Sequence, residues 1–364
     1  MPSIHDLAAI ELVRRRLKFD RYRLRQVRNA FYKKYLPAAV ALEEIAEPHR
    51  TALAAEVEFH ALTLESRHDS RIDGATKLIF RTSAGLLIES VILRLTTGRT
   101  TLCVSTQVGC AAHCDFCATG KMGIARNLSA AEIVDQLVQA NQLLAAESRS
   151  VRNLVFMGMG EPFHNEEQLE ASIQLLIDPA CFHLNPRRLL ISTVGIPEAM
   201  TRMAQRHPQV RLALSLHSAR QDVRRQIMPI AERYPLEVLR QALVEVFALQ
   251  GHEVMIEYLL LADVNDQSDD AAALIDYVRD IPVHINLIPY NPIAEAPHLR
   301  GSDRPRREAF SAQLKAAGLA VTTRYSLGAD IAAACGQLVR QEHRKNAGAA
   351  RVVTLKSNPP ANVS

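Results

Sequence analysis

The chain has 364 residues, of which 48% are hydrophobic and 23% are charged, with a formal net charge of +4 at pH 7. At roughly 150 residues per domain, this length predicts two or three domains with a large core, and the composition excludes a disordered chain. The sequence contains no run of about eighteen apolar residues, the length needed to span a bilayer. Residues 1–6 lack the basic and apolar regions of a secretion signal. We therefore expect a cytoplasmic protein with no membrane partner.

The region from residue 14 to 35 is strongly basic and contains aromatic residues. Ten arginines and lysines oppose a single acidic residue, Asp20, and five aromatic rings are interleaved with them. This pattern is typical of a helical RNA-binding segment, in which cations contact phosphates and rings stack on bases. A solvated helix whose rings pack inward explains it equally well. We predict a small N-terminal helical domain over residues 1–60.

The next region, residues 61–100, is expected to be a β-hairpin extension. Two alternating apolar segments, 77–81 and 87–92, flank the turn signal 83–85. Beyond residue 100, strands alternate with amphipathic helices, which predicts parallel β/α units. The expected strands are 102–106, 154–157, 189–193, 212–216, 254–260 and 283–288, and the expected helices are 130–145, 166–177, 236–249 and 269–279.

These elements predict an α/β fold, with a partial (β/α)6 barrel over residues 101–340 and a disordered tail over 341–364. Ser129 and Glu132 have the spacing of a capping box at the start of the helix 130–145. Polar residues follow the carboxyl ends of the strands, which is where the active sites of such barrels lie. Considered by itself, His217 would more often be a buried structural histidine. The placement of all these polar residues at one edge of the barrel favours a binding site instead. These polar residues are Gly160, Glu161, Ser192, Ser215, His217, Asn286 and Asn291.

The cysteines are concentrated in one motif. Cys110, Cys114 and Cys117 form the pattern C-x3-C-x2-C on the loop after the first barrel strand. In a reducing compartment such cysteines are metal ligands or reactive thiols more often than disulfides. Structural zinc sites and ferredoxin-type clusters both use four protein ligands. Three thiolates on a four-iron cluster would leave one iron open, as a reactive cofactor requires.

The motif and its position resemble those of the radical S-adenosylmethionine (SAM) superfamily. Within this superfamily, longer sequence segments resemble the RlmN/Cfr family of RNA methyltransferases, and the similarity extends over residues 20–340. These segments are 102–110, 116–120, 157–162, 215–217, 285–289 and 333–338.

The resemblance implies one [4Fe-4S] cluster held by Cys110, Cys114 and Cys117, and two SAM molecules used per turnover. The cofactor carries the radical chemistry, and the protein positions it. The implied partners are 23S rRNA, tRNA for RlmN-type members, and an electron donor such as flavodoxin. The implied SAM contacts are Gly160, Glu161, Ser192, Ser215, Leu216, His217 and Asn291.

The family methylates C2 or C8 of an adenine, and these electron-poor ring carbons require a radical route. By resemblance, Cys335 is the cysteine that is methylated and then bonded to the base. Glu89 matches the proton acceptor, and Cys103 matches the thiol that releases the product through a transient disulfide. Glu89 could instead be a surface carboxylate, and Cys335 could be a structural thiol.

Several alternatives stay open at this stage. Segments 184–188 and 228–235 read like the C8-specific branch, although C2 methylation is slightly favoured. A non-catalytic iron–sulfur RNA-binding protein would give Cys103 and Cys335 no role. A methylthiotransferase would usually need ligands for a second cluster. The chain contains no tryptophan, unlike common RlmN members, which leaves RNA docking open. Candidate phosphate contacts are Arg187, Arg188, Arg304, Arg306 and Arg307, although a solvated surface explains these arginines equally well.

Overall fold

Helices form the N-terminal region of the computed structural model, which describes residues 1–338; the tail predicted over 341–364 lies outside this range. Asp6 and Asp20 cap the first two helices by accepting from the amides of Ala9 and Tyr22. The basic region is therefore two helices, because Lys18 ends the first in a left-handed conformation (φ 56°). The helices are α1 (Leu7–Leu17), α2 (Arg21–Tyr32), α3 (Ala38–Ala41) and α4 (His49–Glu56).

The aromatic residues of this region pack mainly inward. Phe19, Phe31 and Tyr32 are buried, whereas Tyr22 on α2 is 54% exposed. The interpretation of inward packing is thus correct for three of the five rings. Tyr22 is left at the surface, where the Arg25 guanidinium carbon lies 5.1 Å from its ring centroid.

An antiparallel layer leads into the main sheet. The predicted hairpin is confirmed, since the strands around residues 83–85 pair in antiparallel register. A preceding strand that the sequence analysis missed joins them, and a fourth completes the layer. The strands are β1 (Leu62–Asp69), β2 (Ala75–Thr82), β3 (Leu87–Arg94) and β4 (Thr100–Cys103).

The main sheet continues from β4 in parallel. Each further strand pairs in parallel with its predecessor. All six predicted strands are present, although the first ends at Cys103 rather than at residue 106. A short seventh strand, β12 (Ala320–Thr323), lies at the edge and pairs only with β11 (Val283–Pro289) in the described chain, so the barrel is partial. The strands are β7 (Asn153–Phe156), β8 (Leu189–Thr193), β9 (Arg211–Ser215), β10 (Val254–Leu260), β11 (Val283–Pro289) and β12 (Ala320–Thr323).

Helices connect these strands, and the carboxyl ends of the strands meet at one edge of the sheet. The Ser129–Glu132 capping box is confirmed at the start of α6. A small hairpin, β5 (Gln107–Gly109) with β6 (Ile124–Asn127), frames the cysteine loop. The helices are α5 (Ala118–Met122), α6 (Ala130–Ala145), α7 (Glu166–Ile177), α8 (Pro197–Arg206), α9 (Gln221–Ile227), α10 (Leu236–Gln250), α11 (Ser268–Tyr277) and α12 (Arg304–Ala316).

Within residues 1–338, no helix has both the length and the apolar character needed to cross a bilayer.

Candidate active site

The loop of residues 110–117, between β5 and α5, is fixed from two sides. The Asp115 amide donates to the carbonyl oxygen of Ile227 (2.9 Å), which ties the loop to α9. The Ala118 amide donates to the carbonyl oxygen of Gly336 (2.8 Å), which ties it to the segment after β12. The cysteine loop therefore lies between the barrel and the C-terminal part of the described chain.

The three motif cysteines and Cys335 line one cavity at the carboxyl edge of the parallel strands, with about 940 Å³ of space including its open mouth. Burial raises the pKa of Cys110 to about 12 and also raises the pKa values of Cys114 and Cys117. Without a bound cation, the Cys110 thiol is thus protonated at neutral pH. Metal binding favours the thiolate form and releases the proton.

The donor set fits an iron–sulfur cluster better than a single ion. Among the described residues, no three His, Cys, Asp or Glu side chains converge as ligands of one metal ion. A cluster does not require this convergence, because each thiolate binds a separate iron. Three free thiols around one cavity fit a [4Fe-4S] cluster with one iron left for another ligand.

Glu161 is buried in the cavity wall just after β7. Its carboxylate accepts hydrogen bonds from the amides of Phe163 (3.0 Å) and Val194 (2.8 Å) and from the Thr193 hydroxyl (2.7 Å). Burial raises its pKa to about 7. A carboxylate offers about four acceptor sites, so one remains for a donor in the cavity.

Gly160 shapes the same wall. Its φ of 100° is in the region that favours glycine, and an added Cβ would lie 2.6 Å from the Cβ of Gln107. The Gln107 side-chain oxygen also accepts from the Glu161 amide (2.9 Å). A larger residue at position 160 would therefore displace the backbone that carries Glu161.

Two serines and a buried carboxylate form a cluster across three neighbouring strands. The Ser192 hydroxyl donates to Glu257 Oε2 (2.7 Å), and the Ser215 hydroxyl lies 3.2 Å from the same oxygen. Ser215 and Glu257 are directly paired in the register of β9 and β10. All three residues line the cavity. Both serines are predicted from the sequence but Glu257 is not, although it is the only charged residue in the apolar strand β10.

His217 is buried in the same wall with a left-handed backbone (φ 58°). Its Nδ1 accepts from the Leu259 amide (3.0 Å), and its ring forms a T-shaped contact with Phe116 at 4.8 Å between centroids. Burial, and then the nearby Arg224, lower its pKa to about 3. The ring is therefore neutral at pH 7, and Nε2 carries the proton.

Two predicted SAM contacts are not among the residues that line the cavity. Leu216 is fully buried and does not line the cavity, whereas its neighbours Ser215 and His217 do. Asn291 donates from its side chain to the Ser326 hydroxyl (3.0 Å) and to the Cys335 carbonyl oxygen (3.2 Å). Its contact in this structure is thus with the Cys335 segment.

Cys103 and Cys335 lie near one cation, Arg324. Cys103 is buried at the end of β4 and does not line the cavity; burial, then Cys335, raise its pKa to about 12. Burial lowers the pKa of Arg324, but the neighbouring Cys335, Glu257 and Cys103 raise it. The net result is a pKa above the ordinary value. Arg324 Nη1 lies 3.7 Å from the sulfur of Met157, a residue of the cavity wall. Arg324 is not predictable from the sequence, because its approach to both thiols arises only in the fold.

Glu89 is fully buried on β3, so its interpretation as a surface carboxylate is wrong. Lys77 Nζ lies 3.7 Å from its Oε1, and both side chains are inaccessible to solvent. Val91, two residues further along β3, is directly paired with Cys103. Glu89 and Cys103 therefore project from the same face of the sheet.

All six cysteines are free in the structure. No disulfide joins Cys103 to Cys335 in this state. Cys181, which the sequence analysis treated as structural, is buried outside the cavity.

Comparison with known proteins identifies the class of this site. Residues 104–275 match the Radical SAM superfamily. A solved structure, a radical SAM methyltransferase from Sphaerobacter thermophilus, is similar with a TM-score of 0.89 and 37% identity, covering 93% of this chain and 99% of that chain. The fold and the cysteine loop are thus those of a radical SAM protein.

Curated relatives give the particular family. A probable RNA methyltransferase of Rhodopirellula baltica is 53% identical over 96% of this chain and 90% of its own length. A dual-specificity RNA methyltransferase RlmN of Pseudomonas putida is 38% identical over 87% of this chain and 84% of its own length. The chain belongs to the RlmN/Cfr family of radical SAM methyltransferases.

Proposed function

We propose that the protein methylates a ring carbon of adenine in 23S rRNA, with C2 favoured over C8 and with tRNA as a second substrate. Methylation proceeds through an S-methylcysteine at Cys335. The observation that carries this proposal is that Cys335 lines the same cavity as the three motif cysteines. RNA as the substrate is supported by the names of the relatives, which are RNA methyltransferases.

The cavity has separate groups for the cluster and for SAM. Cys110, Cys114 and Cys117 would hold one [4Fe-4S] cluster. When bound, the cluster and SAM supply a methyl group and a 5′-deoxyadenosyl radical, with two SAM molecules used per turnover. The residues proposed to contact SAM at the wall are Gly160, Glu161, Ser192, Ser215, Glu257 and His217.

The protein's own groups then handle the thiol and the proton. Cys335 accepts the methyl group, and the Arg324 cation lies near it. Glu89 is proposed to accept the proton from the adenine ring carbon. Cys103 attacks the Cys335 sulfur, and the bond between that sulfur and the methylene carbon on the base breaks. The carbon keeps the electron pair and takes up a proton to become the methyl group, which releases the product and leaves a transient disulfide between Cys103 and Cys335. A donor such as flavodoxin is the proposed source of electrons, in the cytoplasm.

RNA must present an unstacked adenine, because the cavity lies inside the rim of the barrel. The α1–α2 surface, lined by Arg21, Tyr22, Arg25 and Arg28, is the proposed holding site for the surrounding RNA. Its exposed ring and cations supply stacking and phosphate contacts.

The arginines predicted to contact phosphates differ in position. Arg187 and Arg188 precede β8 and therefore lie at the amino edge, opposite the cavity mouth. Arg304 is paired with Glu308, and Arg306 is paired with two carboxylates on the loop after β10. The proposal therefore assigns the main RNA contact to the α1–α2 surface.

The decisive experiment is mass spectrometry of nucleosides from 23S rRNA treated with the reconstituted enzyme, a reductant and methyl-deuterated SAM. We expect labelled 2-methyladenosine that retains two deuteriums, because one is lost when the methyl group becomes a methylene bridge. Labelled 8-methyladenosine would instead support the C8 alternative, which segments 184–188 and 228–235 favour. The matched control is Cys181→Ala, which removes a buried thiol outside the cavity and should leave the yield unchanged.

Absence of any labelled nucleoside from enzyme with an intact cluster would refute RNA methylation on this substrate. It would favour the non-catalytic iron–sulfur RNA-binding alternative. The proximity of Cys103, Cys335 and Arg324 argues against that alternative, because such a protein has no use for two thiols beside one cation.

A further inference from the structure

Arg224 on α9 is a fully buried arginine. Its Nε donates to the carbonyl oxygen of Leu216 (3.1 Å), and its Nη2 donates to that of Val194 (2.7 Å). Its Nη1 is buried and has no hydrogen-bond partner within residues 1–338. Burial lowers the pKa of Arg224 to about 10, so the guanidinium still carries its charge at pH 7.

The described residues supply no negative charge to balance this cation. None of the ion pairs of residues 1–338 includes Arg224, whereas its neighbours Arg220 and Arg225 pair with carboxylates. Of the ionisable groups near it, Tyr277 is neutral, because burial raises its pKa and its hydroxyl donates to the carbonyl oxygen of Leu236 (3.0 Å). His217 is also neutral at pH 7, as described above. A buried charge without compensation is strongly unfavourable.

The position of Arg224 points to where the missing charge belongs. Val194, which accepts from Nη2, lines the cavity, and Leu216 directly precedes His217 of the wall. On the same helix, the Ile227 carbonyl holds the amide that follows Cys114 in the cysteine loop. Arg224 therefore lies directly behind the cluster loop, and Cys114 is the nearby group that becomes anionic when iron binds.

We propose that Arg224 provides the positive charge that balances the cysteine-ligated cluster and raises its reduction potential. This inference rests on the cluster of the proposed function. Three thiolates make the ligated cluster an anion, and reduction by one electron makes it more negative. A fixed cation in a low-dielectric wall stabilises the reduced form more than the oxidised form. Arg224 thus acts through the cluster as a positioning residue and does not touch the substrate.

The test compares the reduction potentials of charge-changing variants. The neutral variants are Arg224→Gln and Arg224→Met, and Arg224→Lys keeps the charge. The matched control is Arg225→Gln, which removes the same charge from the exposed face of the same helix. Each reconstituted protein is assayed for iron per chain and then titrated with dithionite and redox mediators without SAM, with the reduced cluster followed by electron paramagnetic resonance.

We expect the neutral variants to bind iron and to have a more negative midpoint potential. At a fixed applied potential, their ratio of reduced to oxidised cluster should fall by about tenfold or more, and tenfold equals 59 mV for one electron. Arg224→Lys should stay within about threefold of the wild type, and Arg225→Gln should not differ from it.

Neutral variants with wild-type potential would overturn the proposal, as would a shift in Arg224→Lys equal to that in Arg224→Gln. If both neutral variants lose iron while Arg224→Lys retains it at wild-type potential, the charge is required and the proposal is supported. Loss of iron from all three variants would mean that the side chain only braces the wall, which overturns it. Failure of the wild type to bind iron would refute the proposed function itself, a result distinct from all of these.

Discussion

Replacing Glu161 by glutamine should change how the stability of the protein depends on pH. Burial raises the pKa of this carboxyl from its ordinary value of 4.5 to about 7. Because the folded-state pKa is above the unfolded one, the folded chain binds more protons between pH 4.5 and 7, and its stability falls as pH rises through this window. The difference of about 2.5 pH units corresponds to about 3 kcal/mol at 1.36 kcal/mol per unit. Because glutamine cannot ionise, the Glu161→Gln variant should not lose this stability as the pH rises.

The assay is urea unfolding at several pH values between 4.5 and 8. Metal-free protein is used, because its Glu161 has the surroundings described above. The free energy of unfolding of the wild type should fall by about 3 kcal/mol relative to Glu161→Gln across this range. A constant offset between the two proteins is irrelevant, since glutamine also alters the hydrogen bonds to Thr193 and Val194.

The matched control is Glu166→Gln. A hydrogen bond from Arg202 lowers the pKa of Glu166, so its stabilising effect is lost only below pH 4.5 and the difference from wild type should be flat over the tested range. If the wild type and Glu161→Gln show parallel pH dependence, burial does not disfavour the carboxylate and the reasoning fails.

Other predictions follow from the site and the RNA surface. Cys103→Ala should accumulate protein covalently bound to RNA, seen as a shifted band on a denaturing gel, because the base can add to Cys335 but cannot be released; free protein with normal turnover would remove Cys103 from the mechanism. Cys114→Ala should lose the bound iron measured per chain, and unchanged iron content would contradict the cluster assignment. Tyr22→Ala should weaken RNA binding by about 1–3 kcal/mol if the exposed ring stacks on one base, as fluorescence anisotropy would measure; unchanged affinity would exclude stacking there.

The features that could be predicted from sequence are those encoded over short distances. Six strands of the parallel sheet and the start of α6 were predicted because apolar runs and the Ser129–Glu132 spacing are local patterns. The three-cysteine spacing likewise marked the loop that lines the cavity. The break after Lys18 was missed, although Asp20 is a readable helix cap at the start of α2.

The rest of the site depends on contacts between distant segments. Arg324 comes near Cys103 and Cys335 only because β12 lies beside β11 and the following chain folds back over the barrel. Similarly, Arg224 reaches the back of the cysteine loop through α9, more than one hundred residues later in the chain.

The distribution of charge around the cavity matches the two kinds of chemistry proposed for it. The carboxylates of Glu161 and Glu257 face the space where the ammonium and hydroxyl groups of SAM would need acceptors. The cations Arg224 and Arg324 lie instead near cysteines, which are the groups proposed to bind the cluster or to react. Arg224 is fully buried and Arg324 is half-buried, so their effects on the nearby cysteines are less screened by salt than those of exposed charges. The same barrel edge therefore places acceptors where the proposed cationic cofactor needs them and cations near the cysteines that are proposed to react.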